Sequence, residues 1–106
     1  MINAFLYFFL FWITVEQTDP CQLQGAVFIE SSKRYADFVV YEESSEAFAD
    51  LLVYKQENRL YADGPGLWFI TDDRSMADYS IYLTEKQNIA DFSIFYTDTE
   101  SFAGCN

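Results

Sequence analysis

The dipeptide Ala-Asp recurs through this chain at Ala36-Asp37, Ala49-Asp50, Ala62-Asp63, Ala77-Asp78 and Ala90-Asp91, and Ala103-Gly104 takes the sixth place. The intervals are 13, 13, 15, 13 and 13 residues. Self-similarity at so short and regular a period restricts the fold to iterated copies of one small unit. Aligned on Ala, the preceding residue is Tyr35, Phe48, Tyr61, Met76, Ile89 or Phe102, bulky and apolar each time. After Asp comes a β-rich run: Phe38-Val39-Val40-Tyr41, Leu51-Leu52-Val53-Tyr54, Tyr79-Ser80-Ile81-Tyr82 and Phe92-Ser93-Ile94-Phe95. Mostly polar residues follow, as in Glu42-Glu43-Ser44-Ser45-Glu46, and a partial copy begins at Ala26.

Tyr79 and Ile81 alternate with Ser80 and Tyr82, and Phe92 and Ile94 with Ser93 and Phe95, a period-2 pattern that predicts strand. No segment sustains the apolar spacing of an ordinary helix. Each unit therefore reads as a strand of about five residues and a connection of about eight. The expected fold is all-β: a small single domain of short strands built from ~13-residue repeats. Polar stretches are expected to be turns. Where the interval lengthens by two, Gly64-Pro65-Gly66 predicts a tight turn, since the Lys-Ser/Thr of a phosphate loop is absent. Periodicity alone leaves open a small barrel or an irregular solenoid.

The run from Ala26 to Cys105 resembles the 7(1) septoil knot domain, a small bacterial domain of unknown function. The residues that carry the resemblance are the iterated apolar-Ala-Asp unit, Ala49-Asp50-Leu51-Leu52-Val53-Tyr54-Lys55, the Gly66-Leu67-Trp68-Phe69 insertion and the ending Phe102-Ala103-Gly104-Cys105. The resemblance implies a compact β-rich fold, deeply knotted, whose backbone follows a seven-crossing torus path. Members of the family often have Gln before Ala-Asp, where this chain has aromatic or aliphatic residues. A change of local packing is expected there, and no change of topology.

With 106 residues the chain suits one domain. Residues 1–18 are expected to be a secretory signal or short hydrophobic leader, and 19–106 the repeat-built β domain. Met1 to Val15 carries no charge. Its apolar stretch of about 14 residues spans roughly 21 Å as helix, short of the ~30 Å hydrocarbon core, which fits a signal better than a span. An uncleaved short anchor and a buried segment are the competing readings. The expected location is exported: periplasm, cell surface or secreted.

Seventeen acidic residues oppose six basic ones, a net charge of −11. Such a surface repels nucleic acid and anionic membranes, stays soluble and favours a cationic partner. A protein or carbohydrate partner is compatible with it. Cys21 and Cys105 flank the repeats and, behind an export signal, are expected to form a disulfide, rather than free thiols or a bond between chains. The bridge would close a loop of 105 − 21 = 84 residues and stabilise by about 4–5 kcal/mol on the chain-entropy picture.

Asp37, Asp50, Asp63, Asp78 and Asp91 form a repeated column. Several oxygens at one structural position would suit calcium. The Gly-rich turns of calcium-binding rolls are missing, so the column is expected to be structural, accepting backbone N–H bonds in turns. Glu42-Glu43 and Asp72-Asp73 read as solvated turn residues ahead of a glycosidase pair. With no His and no nucleophile motif, no catalytic, cofactor or metal residue is assigned and no enzymatic role is expected. Tyr41, Tyr54, Tyr82 and Trp68 are expected in the core ahead of forming sugar platforms. The functional expectation is a non-catalytic structural or interaction module. The alternative is a calcium- or carbohydrate-binding domain using the Asp column or exposed aromatics.

Overall fold

The computed structural model describes residues 19–106, so the leader expected over residues 1–18 lies outside the described residues. Seven strands form one sheet: β1 (Gly25–Ile29), β2 (Phe38–Glu42), β3 (Leu51–Lys55), β4 (Leu67–Ile70), β5 (Tyr79–Thr84), β6 (Phe92–Tyr96) and the two-residue β7 (Gly104–Cys105). Their order is β4-β1-β5-β2-β6-β3-β7, and β3 also pairs with β4. That last pairing closes β1 to β6 into a six-stranded barrel. All its ladders are parallel, and only β7 runs antiparallel, alongside β3.

β2, β3, β5 and β6 begin directly after their Asp and β4 after Gly-Pro-Gly, and four of the six barrel strands have five residues. Every connection contains a three-residue 3-10 turn that the sequence did not announce: η2 (Lys33–Tyr35), η3 (Glu46–Phe48), η4 (Arg59–Tyr61), η5 (Arg74–Met76), η6 (Gln87–Ile89) and η7 (Glu100–Phe102), with η1 (Pro20–Gln22) ahead of the barrel. A single 3-10 turn is too short to produce a periodic apolar signal. Asn58 and Asp73 cap η4 and η5 through their side chains.

The repeat is legible in the interior. Val27, Val40, Val53, Trp68, Ile81 and Ile94 supply one wholly buried side chain from each barrel strand. Phe38, Leu51, Tyr79 and Phe92 pack beside this layer on one side, and Ile70, Leu83 and Tyr96 belong to the same core. A six-stranded barrel is narrow, so side chains fill it. Trp68 meets Tyr79 edge-on at 5.8 Å between ring centroids, and Phe38 meets Tyr79 and Phe92 in the same manner. The Trp68 Nε1–H donates to the Leu23 carbonyl at 3.2 Å, which satisfies the one polar atom of the ring. The outer face is covered near the strand starts, where Ala26, Val39, Leu52, Ser80 and Ser93 are buried. Burial on both faces is usual for parallel sheet.

Around the barrel, β5 lies between β1 and β2, β6 between β2 and β3, and β4 between β3 and β1. The chain therefore steps over one neighbour at each connection and circles the axis twice. The exception is β3 to β4, which are adjacent, and this single step shifts the second circuit by one place. It coincides with the 15-residue interval. Here Gly66 adopts φ +78°, and a Cβ on it would collide with the Gly104 nitrogen and the Leu52 carbonyl. Only glycine fits this seam.

Burial raises the phenol of Tyr96 to about 12, with Glu42 adding to the effect. Tyr79 moves in the same direction by burial, then by the charge of Asp78. The folded chain thus keeps two protons that the unfolded chain releases near pH ~10. Their stabilisation is present below that pH and is lost as pH rises toward 12. A urea unfolding midpoint measured at pH 8 and at pH 11 should fall at the higher value; an unmoved midpoint would contradict the burial of these phenols.

Candidate functional site

The Asp column sits at the strand starts, at one rim of the barrel. Asp37 pairs with Ser80: its N–H donates to the Ser80 carbonyl (3.0 Å) and its Oδ2 accepts the Ser80 N–H (2.8 Å). Asp50 and Ser93 repeat the exchange at 3.1 and 3.0 Å. Asp78 makes it with Ala26 (2.8 Å both ways), and Asp91 with Val39 (2.6 and 2.7 Å). The carboxylates therefore do accept backbone N–H groups, as expected, but from strands 43 or 52 residues away and not from their own turns. Each Asp carries the ladder one step beyond its strand. The Ser hydroxyls are satisfied too, donating to the Tyr35 and Phe48 carbonyls. Gly25 has no side chain because a Cβ would strike the Asp78 carboxylate.

Asp63 stands apart. Gly64-Pro65-Gly66 separates it from β4, its preceding Ala62 turns to ψ 58° where the other Ala caps lie near 143°, and it is exposed. Its carboxylate accepts no hydrogen bond from the described residues. Four of the five marks are thus equivalent. Among the described residues no three His, Cys, Asp or Glu side chains come together to hold a metal.

The other candidates are placed as follows. Asp73 accepts from the Ser75 hydroxyl (2.6 Å) and Ser75 N–H (3.0 Å), and these bonds hold its carboxyl below the usual range, opposite to the shift a general acid needs. Glu43 accepts from Gln87 at 3.1 Å. Trp68 is sealed in the core, while Tyr41, Tyr54 and Tyr82 are half-buried on the outer face. Cys21 and Cys105 are joined, with Cα atoms 4.9 Å apart.

Sequence reasoning missed the exposure of the residue before Ala. Tyr35 (57%), Phe48 (73%), Tyr61 (60%), Met76 (50%) and Phe102 (57%) are largely open to solvent, as is Leu60 (79%). All but Leu60 end the 3-10 turns, which ride over the strands that their connections skip, or, for η4, over the strand that follows. Contacts place η2 on β5, η4 on β4 and η7 on β3, and the Asp–Ser, Asp–Ala and Asp–Val pairs place the others. The turns thus form a belt in the order η4, η5, η2, η6, η3, η7.

A model of the 7(1) septoil knot domain matches residues 20–106. The chain belongs to this family. No curated protein and no solved structure matches it. The interleaved circuits of short strands agree with the compact all-β fold that this family implies. The exposed column also accounts for the departure noted above: Gln or an aromatic is equally accommodated where the side chain leaves the barrel.

Removing the Asp91 carboxylate strands the Val39 N–H. Asp91→Ala should cost about 1–3 kcal/mol in chemical denaturation, whereas Asp63→Ala should stay within about 0.5 kcal/mol; equal effects would refute the unequal roles. Reducing the Cys21–Cys105 bond should lower stability by about 4–5 kcal/mol, read from the same denaturation curve with and without reductant.

Proposed function

We propose that this septoil knot domain is an exported, non-catalytic structural module that docks a cationic protein partner through its belt of exposed apolar side chains. The observation that carries the reading is the apolar column itself. Its place in every unit is taken by Tyr, Phe, Met or Ile, yet most of these side chains lie outside the core. Scattered exposed apolar residues are ordinary, but a repeated ring of them is a surface with a use. A net charge of −11 selects a positive partner. The disulfide is consistent with an oxidising compartment. The calcium alternative is weakened because four carboxylates of the Asp column already accept N–H bonds. A melt with and without excess calcium checks it, and an unchanged midpoint is the outcome expected here.

Docking is tested by placing a photo-crosslinking phenylalanine analogue at Phe48 and irradiating the protein in its native compartment. One discrete conjugate that disappears above about 0.5 M salt is expected; no conjugate from Phe48, Tyr61 or Phe102 overturns the reading. Alkylation and intact mass of the same sample check export, through a removed leader and two protected cysteines.

A further inference from the structure

Neighbouring connections in the belt are tied together at five of their six seams. Arg59 pairs with Asp78 between η4 and η5 (3.8 Å), and Arg74 donates to the Tyr35 carbonyl between η5 and η2 (3.2 Å). Gln87 meets Glu43 between the η6 and η3 connections, and Asn106 donates to Glu46 and Ala49 between the ends of the η7 and η3 units. Gln56 reaches Glu100 between the η4 and η7 connections. Between η2 and η6 no such bond occurs among the described residues.

A groove of about 340 Å³ opens at that seam, lined by Lys33 and Lys86 together with Tyr82, Thr84, Glu85 and Ile89. Lys33 belongs to η2 and Lys86 precedes η6, so the groove takes one lysine from each of the two connections. Neither forms an ion pair with any described residue, although the molecule carries an excess of carboxylates. Tyr82 and Thr84 come from the outer face of β5, and Tyr41, directly opposite Thr84 in the ladder, lines an adjoining recess of about 420 Å³ together with Glu42 and Glu85.

We propose that this groove binds an acidic oligosaccharide, a chain of sugars bearing carboxylates. The chemistry is divided among the residues present. A carboxylate sits between Lys33 and Lys86, the apolar face of a sugar ring lies on Tyr82, and hydroxyls meet Thr84 and Glu85. The volumes at the seam and the adjoining recess suit more than one ring. Repulsion from carboxylates outside the site is screened beyond about 8 Å at physiological salt, while Glu85 and Glu42, which line it, face sugar hydroxyls as acceptors and leave the ligand's carboxylate to the two lysines. A neutral sugar would leave both cations without an acceptor, which is why the acidic class is selected. The proposal stands apart from partner docking on the belt, and either holds without the other.

The test titrates the disulfide-intact exported protein with trigalacturonate and, in parallel, with neutral maltotriose, following heat and amide chemical shifts. Saturable binding of trigalacturonate is expected, with shifts at Lys33, Tyr82 and Lys86 and none from maltotriose. The double variant Lys33→Gln/Lys86→Gln should bind at least about tenfold more weakly. Both positions are exposed, so its melting midpoint should match the parent. Tyr82→Leu should weaken binding as well, and Arg34→Gln, beside the groove but not in its lining, should not. Equal binding of maltotriose, undiminished binding by the double-lysine variant, or no binding of trigalacturonate at about 10 mM each overturns the proposal.

Discussion

Every ladder of the barrel joins the first half of the chain to the second. β1, β2 and β3 make no pair with one another, and neither do β4, β5 and β6; each strand of one set lies between two of the other. No sheet exists until the second circuit is laid between the strands of the first. Apart from β3 and β4, which adjoin in sequence, all pairings close long loops, so chain entropy opposes each until many form together. The Asp carboxylates act at this point. They add a bond to four of the five long-range pairings, all but β1–β4, just where the strand starts and the connection leaves.

The period and the strands were legible in the sequence because they depend on local alternation, but the face that turns inward was not: Tyr41, Tyr54 and Tyr82, expected in the core with Trp68, lie half-buried on the outer face. Val40, Val53, Ile81 and Ile94 each lie three residues after an Asp, and the packing preserves that spacing. The 3-10 turns were illegible, being shorter than any amphipathic period. The Asp column was understood as acceptors for N–H groups, but the donors could not be named from a linear reading because they lie four units or so away. The 15-residue interval was read as a turn. Its larger meaning, the single step that displaces the second lap, depends on strand order and on Gly66 meeting Gly104 and Leu52.

Of the candidate site, the sequence offered residues and not their grouping. Tyr41 and Tyr82 come to one side of the barrel through the β2–β5 ladder, while Trp68, offered for the same purpose, faces inward and is sealed. Lys33 and Lys86 lie 53 residues apart in the chain (86 − 33), and no local pattern joins them. They become neighbours because the connection over β5 and the connection over β2 run side by side, as interleaving demands.

The bond between Cys21 and Cys105 also fixes how the domain bears load. Tension entering before Cys21 and leaving after Cys105 passes straight across the sulfur bridge, with Cα atoms 4.9 Å apart. None of it reaches the ladders. A domain pulled at both ends would thus keep its barrel slack, and would begin to stretch only after a reductant had cut the bridge.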